Sequence, residues 1–317
     1  MKSRTVGRMA VACLTALAVS GAIPLPAAGR QKQPPQASDA KPSCSMPAGW
    51  AAIAQRAPRY VIFGESHGTE EAPTFFGNVA CALAARGKRI LVAVEYDSSD
   101  DPAFQAAWLL PPQQFGPALL AAGWKGRDDG VASEAMFRLL TRLHALKSHG
   151  KKISIVAFNG AKDAAQRERF KSLPGQGGHE AAQAENIRNA AAASRYDYVL
   201  VLTGNLHARK NEFGNGARAF KPMALALAPA DQIVSLDMKS ASGTAWNCQL
   251  KAGVKFDDGK PLPSDATECG IHPYTSKVDL RRPPFMSLYP VEGIDRDDAY
   301  DGIYWIGAGH GSKPALP

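Results

Sequence analysis

Residues 60–69 read YVIFGESHGT and residues 198–207 read YVLVLTGNLH. Each opens with an apolar run, reaches a glycine (Gly64, Gly204) and arrives three residues later at a histidine (His67, His207). Runs that are apolar on consecutive residues suit strands covered on both faces. A glycine at such a strand end permits a sharp turn that swings the following histidine back over the edge of the sheet.

Working outward, the same alternation of short β-branched runs and longer helical stretches continues along the chain. Strands are expected at Tyr60–Phe63, Arg89–Val94, Ile153–Phe158, Tyr198–Leu202, Gln232–Asp237 and Gly302–Ile306. Helices are expected at Pro73–Arg86, which stops at Gly87, at Ser133–Ser148, and at the Ala-rich Glu180–Ala193. In the second of these, Met136, Leu139, Leu140, Leu143 and Leu146 form one apolar stripe behind a Ser133 N-cap. This order predicts an α/β fold with a largely parallel sheet and helices on both faces. Residues 97–130, with Trp108 and Trp124, fit the alternation poorly and read as an insertion over one end of the sheet. From Ser240 to Pro290 the many Pro and Gly residues predict an irregular C-terminal wrap, after which the last strand closes the sheet.

The chain has 317 residues, 45% hydrophobic and 21% charged, the balance of a folded globule. Its net charge of +8 includes Lys2, Arg4 and Arg8, which precede any acidic residue, and the remaining excess is too scattered for a nucleic-acid partner. A basic start, an apolar run from Met9 to Ile23 and small residues at 26–29 read as a signal peptide over 1–28. A polar linker over 29–43 and a single domain over 44–317 follow, placing the mature chain in the periplasm or outside the cell. Pro24 and Pro26 interrupt the apolar run, so no membrane span is expected after cleavage. Cleavage leaves Cys44, Cys81, Cys248 and Cys269 in an oxidising compartment. The pairings expected are Cys248–Cys269 and Cys44–Cys81, against a buried free Cys81; the lack of any C-x-x-C spacing argues against zinc at these four.

In an open parallel sheet, ligands bind beyond the carboxyl ends of the strands. The predicted strands end in Glu65 and His67, in Glu95-Tyr96-Asp97, in Asn159, and in Asn205-Leu206-His207. Glu65, His67, Glu95 and His207 are therefore expected on one rim. The other histidines, His144, His149, His179, His272 and His310, read as surface residues.

The stretch FGESHGTEEAPTFFGNVACALAARGKRILVAVE (63–95) resembles the opening of the erythromycin esterase, ChaN-like and TIKI superfamily, with its G-x-x-H turn, helix, and strand ending in Glu. TGNLHARK (203–210) is similar to the second histidine motif of the ChaN-like branch, and YDGIYWIG (300–307) extends the resemblance toward the C-terminus. The resemblance implies that Glu65, His67, Glu95 and His207 form the site. It implies ester hydrolysis, metal-dependent peptide hydrolysis or haem binding, according to the branch. The chain departs from the esterase pattern in having only Ser66 between Glu65 and His67, and Arg209-Lys210 follow His207.

Two imidazoles and two carboxylates suit either of two hydrolytic chemistries on a small-molecule or peptide substrate. His67, His207 and Glu65 or Glu95 can hold a divalent transition metal that lowers the pKa of bound water. Alternatively, His67 acts as general base, oriented by Glu65 or Glu95, while His207 or Arg209 stabilises the oxyanion. Ser66 lacks the G-x-S-x-G surroundings of a nucleophile. The rival to hydrolysis is haem or metal binding, with Tyr96 and His207 as haem ligands and Trp108 and Trp124 as a wall; a pseudo-enzyme used for adhesion is a third class.

Overall fold

The computed structural model describes residues 44–254 and 266–316. The predicted leader and linker lie outside the described residues. In chain order the elements are α1 (Trp50–Gln55), β1 (Tyr60–Glu65), α2 (Glu71–Ala85), β2 (Ile90–Asp97), α3 (Asp101–Trp108), α4 (Pro112–Ala121), α5 (Glu134–Ser148), β3 (Ile153–Asn159), α6 (Ala164–Phe170) and α7 (Gly177–Ala192). There follow β4 (Tyr198–Gly204), α8 (Met223–Leu227), β5 (Ile233–Ala241), β6 (Gly243–Leu250), β7 (Thr267–Tyr274), β8 (Phe285–Leu288) and β9 (Gly302–Ala308).

Seven strands form one sheet in the order β3-β2-β4-β1-β5-β9-β8, parallel throughout except for β8, which runs antiparallel to β9. The pleat sends alternate residues to opposite faces. Val61 and Phe63 meet α2, α3, α4 and α5 in one core, while Tyr60 and Ile62 meet α7 and α8 in the other. Helices cover both faces, as the consecutive apolar runs predict. Ser133 caps α5, its hydroxyl accepting from the Met136 amide at 3.3 Å.

Two expectations about irregular regions need correction. Residues 97–130, expected as an insertion over one end of the sheet, are largely helical, and α3 and α4 bring Phe104, Trp108, Phe115, Leu119 and Trp124 into the same core as α2 and α5. The C-terminal wrap is not irregular throughout. β6 and β7 pair as an antiparallel two-stranded ladder in which Cys248 stands opposite Cys269, and β8 extends the main sheet. The apolar alternation of these short strands was hidden by their interspersed Pro, Gly and polar residues. Both expected disulfides are formed, Cys248–Cys269 across this ladder and Cys44–Cys81 between the N-terminal segment and α2. His144 is also not a surface residue. It is buried in stacked contact with the Phe115 ring at 4.0 Å, its Nε2 3.0 Å from the Leu110 carbonyl.

Candidate functional site

The parallel order places the carboxyl ends of β1, β2 and β4 side by side, with β4 between the other two. Glu65 is the last residue of β1 and Glu95 lies near the end of β2, while His67 and His207 stand in the turns after β1 and β4. The four predicted residues meet in a row. Glu65 Oε1 lies 3.0 Å from His67 Nδ1, and His67 Nε2 lies 3.7 Å from Glu95 Oε2. Glu95 Oε1 lies 3.4 Å from His207 Nε2.

The row continues to a residue that sequence reading did not select. His207 Nδ1 lies 2.8 and 2.9 Å from the two oxygens of Glu180, which is fully buried on α7 and also accepts from the Met223 amide at 2.8 Å. A signal for it was available. Glu180, Gln183 and Asn186 recur every three residues on the buried side of an otherwise Ala-rich helix, polar groups that require partners inside the fold. Each imidazole thus has its Nδ1 beside a carboxylate of its own and turns its Nε2 to the shared Glu95.

Glu95 is locked in place. Its Oε2 accepts from Thr203 Oγ1 at 2.7 Å and from the Gly204 amide at 2.6 Å. Gly204 is needed for the close approach, because a Cβ there would lie 3.1 Å from His67 Nε2 and 3.7 Å from Glu95 Oε2.

Burial opposes charge on Glu65, His67, Glu95 and His207; it prevails at Glu65, and attraction prevails at the other three. Burial pushes the Glu65 carboxyl above its usual range, only partly offset by the hydrogen bond and charge of His67. Burial would raise Glu95 too, but the His67 and His207 charges and the hydrogen bonds from His207 and Thr203 hold it well below the usual carboxylate range. For the imidazoles burial works downward, yet Glu95 and Glu65 bring His67 up to about 9. Glu180 and Glu95 likewise bring His207 up to about 10. The resting row at neutral pH is therefore two imidazolium ions flanking an ionised Glu95.

Clefts open on both sides. One of about 790 Å³ is lined by His207, His179, Asn159, Asp97, Arg167 and Lys171 among others. The other, about 700 Å³, brings Ser66 and His67 opposite Trp246, Asn247 and Cys248 of β6 and Tyr274 of β7. The β6–β7 ladder is held to the His67 turn by the Trp246 amide, which donates to the Gly68 carbonyl at 2.9 Å.

Four predicted contributors, Tyr96, Trp108, Trp124 and Arg209, stand elsewhere. Tyr96, proposed as a haem ligand, is buried between the rings of Phe104 and Trp124, at 5.7 and 4.8 Å, and its hydroxyl donates to the Val131 carbonyl at 3.0 Å. Burial pushes its phenol well above the ordinary range, so it is neither accessible nor disposed to ionise. The reason is the pleat: Val94 and Tyr96 point into the α2/α5 core, opposite to Ala93. Trp108 and Trp124 are core residues rather than the wall of a haem cleft. Arg209 points away from the row, over the rings of Phe213 and Tyr300 at 5.6 and 5.7 Å, with Asp297 3.6 Å from its guanidinium.

The donor set expected to hold a metal, Glu65, His67, Glu95 and His207, is not among the sets of three donor atoms that converge on one point. Among the described residues, two sets of three donor atoms converge within 4.8 Å: Asp128 with the bonded pair Cys248 and Cys269, and His179, Glu180 and His207.

No protein-family model and no curated protein matches the chain. Solved structures do. An erythromycin esterase, EreC, in its open conformation superposes with a TM-score of 0.56 at 10% identity, over 82% of this chain and 93% of that one. A succinoglycan biosynthesis protein gives 0.51 at 12% identity, over 83% and 91%. A haem-binding ChaN of Campylobacter jejuni gives 0.35 at 14% identity, over 60% and 84%, and at that value carries no argument about haem. The chain shares its fold with the erythromycin esterase, as its two Gly-x-x-His turns imply.

Proposed function

We propose that this chain is an exported hydrolase that cleaves an ester or amide with water activated at His67. The observation that carries the reading is the row itself: two histidines, each anchored at Nδ1 by its own carboxylate, facing one ionised glutamate with a cleft at either side. Once His67 has lost its own Nε2 proton, water beside it gives a proton to Nε2 as its oxygen bonds to the substrate carbonyl carbon. Glu65 and Glu95 stabilise the imidazolium so formed, as carboxylates do for a histidine base. His207, the stronger holder of its proton, stabilises the oxyanion and then protonates the departing alcohol or amine; exchange with solvent afterwards removes the proton from His67 and returns one to His207. The shared fold with an esterase and the two disulfides, which suit an oxidising compartment, support the reading. No step is assigned to a metal at the four predicted ligands, because their donors do not converge.

The test is a panel of ester and amide substrates assayed with the wild type and with His67→Ala. Turnover that falls at least about 100-fold in a correctly folded His67→Ala supports the reading. Turnover that survives the substitution overturns it.

A further inference from the structure

We infer that His179, Glu180 and His207 form a binding site for one divalent transition-metal ion at the side of the larger cleft. One nitrogen of each imidazole and one oxygen of Glu180 lie within 4.8 Å of one another, and both histidines line the cleft. Imidazole with carboxylate is a donor set for zinc, copper, nickel or iron rather than for magnesium or calcium. Three protein donors with the remaining positions open to a cleft is the arrangement of an accessible site rather than of a closed structural one.

The groups behind the three donors are those that a bound ion requires. His207 has a carboxylate at each nitrogen, Glu180 at Nδ1 and Glu95 at Nε2. An ion shared with Glu180 is taken at Nδ1, and Nε2 keeps Glu95 as the acceptor that holds the ring's orientation. Glu180 Oε2 is tied to the Met223 amide, while Oε1 meets only His207, so one oxygen is positioned and the other available. His179 Nε2 lies 2.6 Å from Gln183 Nε2, which itself donates to Asn159 Oδ1 at 2.9 Å. The other nitrogen of His179 faces Gly160. A Cβ there would lie 3.3 Å from Cε1 and 3.4 Å from Nδ1, so the ring is packed against the chain at this glycine.

The site shares His207 and its Glu180 partner with the proposed hydrolytic row but not His67, Glu65 or the cleft under β6–β7. Its existence does not rest on the hydrolytic reading. An ion at His207 takes the place of a proton there, so metal uptake releases protons.

The experiment titrates Co²⁺ into full-length mature protein stripped of metal, reading visible ligand-field absorption and heat. Wild type is expected to bind one equivalent with nitrogen and oxygen ligation. His179→Ala, at an exposed position, is expected to weaken binding at least about 10-fold. His67→Ala is expected to bind as the wild type does. No binding by wild type, unchanged binding by His179→Ala, or loss in His67→Ala each overturns the inference, the last by moving the ion to the other end of the row. Circular dichroism confirms the fold of each variant. Hydrolysis is assayed separately, so failure of the metal site leaves the hydrolytic reading standing, and the reverse.

Discussion

His67 must lose a proton before it can accept one, and its surroundings hold that proton up to about 9. The expected kcat/KM of the free enzyme therefore rises with pH through about 9, and a profile flat from pH 6 to 10 would remove His67 as the base. The same shift bears on stability, with a definite sign. The folded value stands above the unfolded one, ~6.5 for histidine, so His67 stabilises the fold fully below that pH and the contribution disappears as pH rises through about 9. Melting temperatures measured across that window should fall more steeply for the wild type than for His67→Ala. Tyr96 calls for the opposite expectation. Because its hydroxyl serves the Val131 carbonyl rather than a ligand, Tyr96→Phe should cost about 1 kcal/mol of unfolding free energy and leave hydrolysis unchanged. Chemical denaturation and a parallel assay check both halves.

At the scale of elements, the site depends on two close approaches of backbone. Gly204 ends β4 against His67 and Glu95, and Gly204→Ala should lower turnover while leaving the melting temperature nearly unchanged, since only the imidazole needs to move. Gly68 is stricter. It adopts φ 82°, and a Cβ there would lie 2.0 Å from the Trp246 carbonyl oxygen, a backbone atom that cannot yield without shifting β6. The β6–β7 ladder is a thin wall of two strands closed by Cys248–Cys269. Replacing both cysteines by serine releases a loop with a sequence separation of 21, with an expected loss of about 3 kcal/mol in that ladder. Limited proteolysis should then cut within 243–274 while the main sheet survives, and KM should rise because Trp246 and Tyr274 line the cleft at His67.

Across the whole molecule, the row of charges runs over the ends of the strands from Glu65 to Glu180 on α7, on the other face of the sheet. Export of the full chain is expected to remove residues 1–28, which the intact mass of the periplasmic product checks. By itself the sequence determined the six parallel strands, the two-faced sheet and the four residues at its rim, because a strand announces itself in consecutive apolar residues and its end in a glycine and a polar side chain. It favoured the two disulfide pairings over a buried free Cys81, and the register of β6 with β7 and the packing of the N-terminal segment on α2 settled them. Only the tertiary structure decided the rest. Glu180 joins His207 across 27 positions through the packing of α7, a contact no local pattern records. Tyr96 adjoins Glu95 in sequence, yet the pleat sends it into the core. The same packing placed His179 beside His207 and brought it, rather than His67, into a converging donor set, because strand order and side-chain direction, rather than residue type, decide which donors converge.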